Sequence, residues 1–472
     1  MVARYLASNR FGLGTRQDGP ATGDLKAWLI DQLDDYDPAP PALASLVDRK
    51  AIAETYMEYS QVRRAASRKL AKVASRKEAG ISAGGEPGSD ILAATRRHYA
   101  DAATARLTNA VATSTPFPER LVHFWSNHFA ISADKILVIG FAGDYEFEAI
   151  RPNIMGNFAD LLIASVRHPA MLLYLDQTQS FGPQSPISRQ DRARGKRSIP
   201  GLNENLAREI LELHTLGVRT NYTQSDVIAF AKILTGLTVA GVSKIGGTPV
   251  MPENAHPGDT VFVSQLHEPG AQVILGKRYD QAEAVLRDLA IHPATAKHIA
   301  TKLARHFTGD SPPSALVDRL AANFQTTGGD LPSLYRTLIA SPEPWAISPD
   351  MFKSPWDWVI STMRAMNMAA LGEKRNISSV FKDFGQPIWR PGSPAGYDDR
   401  VATWAGSAGL MQRVELASRI ASRIGDRIDA RELAPIILAE ALDGETEQAI
   451  ARADSPAQGL AMLLVSPAFL RR

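Results

Sequence analysis

Apolar residues recur at three- and four-residue spacing through most of this chain, the mark of helices that bury one face. Residues 44–78 read as one helix, because Ala, Leu, Arg, Lys and Glu dominate and neither Gly nor Pro interrupts them. Its second half is basic: Arg63, Arg64, Arg68, Lys69, Lys72, Arg76 and Lys77 stand against Glu78, a solvated face that could also meet an anionic partner. After the Gly-rich break at 79–90 a second helix runs to residue 112, which predicts a helical hairpin.

PFPERLVHFWSNHF (116–129) opens with prolines suited to a first helical turn. On a helical wheel Glu119, His123 and Asn127 share one stripe, while Leu121, Trp125, His128 and Phe129 lie on the apolar side. Residues 156–176 continue in helix with a break at Pro169, and 177–201 read as a long Gly/Pro/Ser-rich loop carrying Arg189, Arg192, Arg194, Lys196 and Arg197. Helices follow at 202–216 and 222–235, the second opened by Thr223 with Asp226 three residues on. From 237 to 280 Gly and Pro multiply, and VFVSQ (261–265) and QVILGKRY (272–279) look like short strands of a small β-hairpin. The rest is helical again apart from an irregular stretch at 384–400. LIAS before Pro169, LIASP (338–342) and LLVSP (463–467) read as helix ends stopped by proline.

Composition narrows the function classes. The 472 residues carry 52 Lys+Arg against 50 Asp+Glu, a net charge of +2 that gives no bulk attraction for nucleic acid. The absence of cysteine removes disulfides, thiolate metal sites and cysteine nucleophiles. No apolar run reaches the roughly 18–20 residues of a membrane helix, and the opening MVARYLASNRFGLGTRQDG lacks the apolar core of a signal peptide. The expectation is a soluble chain, cytoplasmic as given, or periplasmic if a leader has been removed.

The most informative stretch is NENLAREILELHTLGV (203–218). Glu204, Asn205, Arg208, Glu209 and Glu212 fall within about 140° of one wheel, while Leu206, Ala207, Ile210, Leu211, Leu213 and His214 cover the rest. Three carboxylates beside a guanidinium could supply a general acid and base of split acidity, with Arg208 orienting an anionic substrate. The same spacing also makes ordinary i,i+4 salt bridges on an exposed face. The basic loop directly before it, Arg197 included, could join the helix start as one anion-handling site. His123 and Asn127 would complete that site. There is no HExxH and no Glu-x-x-His pair on this helix, so no metal ligands are assigned. His256 with Asp259, and His267 with Glu268, could add groups at a mouth near the hairpin. Trp389 and Tyr397, beside Trp404, Asp398 and Asp399, suit contact with a sugar ring or another flat face, or else anchor the connection to the core. No phosphate loop, dinucleotide fingerprint or GxSxG elbow stands in a supporting context, so no cofactor is assigned.

Several segments taken together, HFWSNHF, PAMLLYLD, NENLAREILELHTLGVRTNYTQSDVIAFAKILTGLT, LHEPGAQVILGKRY, KSPWDWV, GQPIWRPGSPAGYDD and SPAFLRR, resemble the bacterial family catalogued as domain of unknown function 1800, in order and over nearly the whole chain. Where that family usually has His-Asp before its Leu-Gly, this chain has His267 and Glu268. The resemblance implies a large, mostly helical bacterial protein and carries over no catalytic roles. It also implies a partner similar to alkaline phosphatases and sulfatases encoded nearby, and a place at the cell envelope.

These readings predict a mainly α, multi-helix globular domain over 1–472. Two lobes, 1–236 and 281–472, would be joined by the Gly/Pro-rich segment 237–280, with its small β-hairpin near 255–280. The leading function is an enzyme using Glu204, Glu209, Glu212 and His123 for acid/base chemistry. Arg208, Asn205, Asn127, Arg197, Trp389 and Tyr397 would hold a small polar, anionic or carbohydrate-like substrate. The alternatives are a non-catalytic helical partner of a phosphatase/sulfatase-like protein and a metal-dependent hydrolase.

Overall fold

The computed structural model describes residues 3–472 except 18, 20–22, 76–87, 196–200, 219, 221, 246, 348–350 and 369–376, and for 70–75 the backbone alone. The architecture is mainly α. The first long helix is Arg49–Ser75, its return partner Ser89–Ala112, and the central Pro116–His128 lies almost wholly inside the protein. Among the described residues no helix is long and apolar enough to cross a membrane.

Proline placement explains much of the punctuation. Pro116, Pro169, Pro186, Pro293, Pro355 and Pro456 each sit in the first turn of a helix, where the missing N–H leaves nothing unsatisfied. Pro169 therefore starts the helix Pro169–Tyr174 as much as it ends Phe158–Arg167. Two His-Pro-Ala sequences use one device: His168 Nδ1 and His292 Nδ1 accept from Ala170 N at 3.2 Å and Ala294 N at 3.1 Å, which fixes each ring's proton on Nε2. The expected capping box at Thr223 and Asp226 is present. Within 177–201, expected as loop, Pro186–Ala193 is helical and is capped by Ser185.

Among the described residues the strands form three separate antiparallel pairs instead of one hairpin. Thr260–Phe262 pairs with the distant Leu237–Val239, while Gln272–Ile274 folds back on Lys277–Tyr279 through Leu275 and Gly276, both at positive φ. A third pair joins Lys244–Ile245 to Thr248–Pro249. The expected strands exist, but the first finds its edge 23 residues earlier, by Leu237↔Phe262 and Val239↔Thr260 registration. A two-residue turn closes the second run on itself before it can reach the first.

One continuous set of buried side chains runs from Tyr5 to Leu470. Trp125, fully buried, donates from Nε1 to Tyr335 Oη at 2.6 Å, and Tyr335 in turn donates to Ile154 O at 3.0 Å. Trp358 is anchored likewise to Leu464 O at 2.9 Å. Each such ring buries a large apolar area while its polar atom stays paired, so little of the roughly 1.5–3 kcal/mol gained per large side chain is lost to desolvation.

Candidate functional site

Pro116–His128 carries its polar ridge into the protein, and every member finds partners there. Glu119, 1% exposed, takes Arg151 Nη1 at 2.8 Å and Asn109 Nδ2 at 2.9 Å. Burial opposes its charge, but Arg151 and His123 outweigh it and hold the carboxyl well below the ordinary range. His123 accepts from Trp356 Nε1 at its Nδ1, 3.1 Å away, so its proton belongs on Nε2, which faces Glu119 Oε1 at 3.5 Å. Burial, helped by Arg106, pushes the imidazole below its usual value. Asn127 gives its whole amide to the backbone of Tyr397, accepting from the N–H and donating to the carbonyl.

A short π-helical turn, Tyr145–Ile150, places Glu146 in the same interior. Its carboxylate takes Arg106 Nε at 2.8 Å, Ser126 Oγ at 2.7 Å and Trp389 Nε1 at 2.9 Å. Burial works against this charge, yet Arg106 and these hydrogen bonds hold it below the ordinary range. The Arg106 guanidinium lies over the Trp356 and Trp389 rings, 4.3 and 5.4 Å from their centres.

Beside this network lies a cavity of about 490 Å³, the size of a small-ligand site. Its walls are Pro116–His128, the helix Pro293–Thr308, the start of Pro355–Ala365 and the irregular stretch 384–400. Six cationic side chains line it, Arg106, Arg120, Lys302, Arg305, Arg400 and Arg472, against the carboxylates of Asp357, Asp398 and Asp399. Four of the cations are matched: Arg106 to Glu146, Arg120 and Arg472 to Asp357 at 3.1 and 3.6 Å, and Arg400 to Asp398 at 3.8 Å. Lys302 and Arg305, three residues apart on one face of Pro293–Thr308 and half-buried, make no hydrogen bond or ion pair among the described residues. Arg305 Nε is shielded from solvent and unpartnered. Burial drives the Lys302 ammonium down to about 8, with Asp399 opposing the shift and Arg305 adding to it. Asp399, exposed toward the cavity, is raised by desolvation despite Lys302.

Of the sequence-predicted residues, His123, Asn127, Trp389 and Tyr397 line this cavity. Trp389 is also an anchor, fixed by Glu146 and by its carbonyl to Ala133 N at 2.8 Å, and Tyr397 Oη donates to Pro387 O. Glu204, Asn205, Arg208, Glu209 and Glu212 do not line it. Arg208 pairs with Glu204 at 3.0 Å and donates to Gln224 Oε1, Gln224 closes back on Glu204, and Glu212 accepts from Tyr222 Oη at 3.2 Å. Asn205 is exposed. The predicted faces of this segment hold, though Ile210–His214 is a π-helical turn closed by Thr215 Oγ1 on Ile210 O. Arg197 lies outside the described residues. His256 is exposed beside Asp259. His267 Nδ1 meets Thr235 O at 2.8 Å, and Glu268 takes Gln184 N at 2.6 Å, bracketing the 177–195 segment to the strands.

Lys302, Arg305 and Asp399 were not singled out as acting groups from sequence. The signal was present: PATAKHIATKLARHFT (293–308) holds Lys297, Lys302 and Arg305 with no acidic residue. His128, in the cavity wall, and His214, which does not line the cavity, are both buried, with ring centres 6.1 Å apart, and both ring nitrogens of His214 lack partners. Among the described residues no group of His, Asp and Glu is arranged to hold a metal ion.

Fold and site together define a mainly α protein with a half-open, cation-rich cavity walled by helices and one irregular segment. The chain belongs to the family DUF1800, described as a protein of unknown function, whose model matches residues 6–471. None of the curated proteins and none of the solved structures compared matches it.

Proposed function

We propose that this protein is an enzyme that binds a small anionic substrate in the cavity between Pro116–His128 and Pro293–Thr308 and performs acid–base chemistry on it. The observation that carries this reading is the pair Lys302 and Arg305, two cations held beside a cavity with no hydrogen-bond or ion-pair partner among the described residues. Holding like charges together in a partly desolvated place is unfavourable, and a bound anion reverses the sign of that term. Arg208 and the helix carboxylates take a different role in this reading. The closed ring of Glu204, Arg208 and Gln224, with the separate bond from Tyr222 to Glu212, fits the locking of Asn205–His214 onto the segment that leads into Gln224–Leu234 better than turnover.

The test is thermal and calorimetric titration of the full chain with phosphate, sulfate and short carboxylates at constant ionic strength, chloride serving as the control. A saturable rise in Tm is expected for at least one of them. The double variant Lys302→Met with Arg305→Met should weaken that binding about tenfold or more. No saturable binding by any of these anions, or binding untouched in the double variant, overturns the reading.

A further inference from the structure

Most polar groups around the cavity are already engaged. Asp357 takes Arg120 and Arg472, and Asp398 takes Arg400 N at 3.2 Å and Thr403 Oγ1 at 3.1 Å. The indole nitrogens of Trp356, Trp389 and Trp404 are spent on His123, Glu146 and Asp398 O, and the Tyr397 hydroxyl on Pro387 O. Among the described charged groups that line the cavity, three make no hydrogen bond or ion pair to another residue: Lys302, Arg305 and the Asp399 carboxylate, which meets only its own backbone N–H.

The two cations stand together on Pro293–Thr308, and the carboxylate comes from the irregular segment that forms another wall. Lys302 and Asp399 sense each other electrostatically, but no ion pair closes between them. A bare anion would satisfy the cations and crowd the carboxylate. A ligand with an anionic head and a hydroxyl on its body would satisfy all three, the hydroxyl donating to Asp399.

We infer that the cavity selects a small hydroxylated anion, its charged head on Lys302 and Arg305 and a hydroxyl hydrogen-bonded to Asp399. The inference rests on the reading of the cavity as an anion site and adds the ligand's second functional group. Desolvation lifts the Asp399 carboxyl above its ordinary range, which suits a group that exchanges a proton with such a hydroxyl.

Matched pairs test it: n-propyl phosphate against glycerol 3-phosphate, and butyrate against 3-hydroxybutyrate, titrated calorimetrically into the full chain. For the head group that binds, the hydroxylated member should bind about tenfold or more tightly. In Asp399→Ala that ratio should fall to near one, while the plain anion keeps its affinity or gains, because a negative charge has left the site. Circular dichroism and Tm establish that the variant is folded. A ratio near one in the parent, a ratio preserved in Asp399→Ala, or an equal weakening of both members in that variant overturns the inference and leaves the anion site standing. If no member of either pair binds, the anion-site reading falls, and this inference with it.

Discussion

The Asn127 side chain closes a two-point ring on the backbone of Tyr397, accepting from its N–H at 2.7 Å and donating to its carbonyl at 2.8 Å. It thereby ties the irregular wall of the cavity to Pro116–His128, a helix buried along most of its length. Gly396 makes the approach possible: its φ is +81°, and a Cβ there would come within 2.3 Å of Asn127 O. Asn127 is therefore a positioning residue for the cavity wall.

Asn127→Ala should cost about 1–3 kcal/mol, because two hydrogen bonds are lost and the Tyr397 amide and carbonyl are left to find water. Amide exchange of residues 384–400 should accelerate more than that of Pro293–Thr308. Equal protection in parent and variant would show that the clamp does not hold the wall.

Glu146 gathers Arg106, Ser126 and Trp389 with no exposure of its own. Glu146→Gln leaves Arg106 as a buried unmatched cation and should cost about 3–5 kcal/mol in denaturant unfolding, with a shift in Trp389 fluorescence. Adding Arg106→Met should recover part of the loss, since the uncompensated charge is the expensive element. A double variant less stable than the single one would contradict this.

His98 and the fully buried Asp144 meet at 2.9 Å. That hydrogen bond, against the pull of burial, raises the imidazole above its usual value. A pKa raised on folding adds stability that is fully present below the unfolded value of about 6.5 and is lost as pH rises through the folded value. His98→Gln should therefore be most destabilising in mildly acidic buffer and least in alkaline buffer, read from unfolding curves across that range. A pH-independent difference would exclude the pair as its source.

His214 and His298 behave in the opposite sense. Burial, aided by Lys302, holds them at about 3 and about 4, so both are neutral in the fold. The unfolded chain binds their protons first, and stability should fall as pH drops from about 6.5 toward 4. His214→Leu should flatten that slope and cost little at neutral pH, because both ring nitrogens lie buried without partners. An unchanged acid slope would place the titration elsewhere.

Glu209→Gln tests the helix stripe. Desolvation and the neighbouring Glu212 raise its carboxyl against the pull of Arg208, so the charge contributes nothing favourable there. Tm should hold or rise slightly at neutral pH, and anion binding in the cavity should not change. Loss of anion binding would return this helix to the site.

The helical hairpin, the helix Pro116–His128, the Thr223 capping box and the inward faces of 203–214 were all legible in the sequence, because spacing, capping and proline placement act over a few residues. His123, Asn127, Trp389 and Tyr397 also stood out as residue types and do line the cavity. Which partner each would take was not legible. Glu204, Arg208 and Glu212 have the same i,i+4 spacing whether they face a substrate or Gln224 and Tyr222.

What the sequence determined by itself is the mainly α architecture and the family, since local periodicity and ordered segments are properties of the chain read along its length. Tertiary structure alone decided the pairing of Thr260–Phe262 with Leu237–Val239, the spending of the Asn127 amide on Tyr397, and the lack of any hydrogen bond or ion pair from Lys302, Arg305 or the Asp399 carboxylate to another of the described residues. Each of these depends on groups far apart along the chain. Burial and charge act on distance in space, and the folded chain sets that distance.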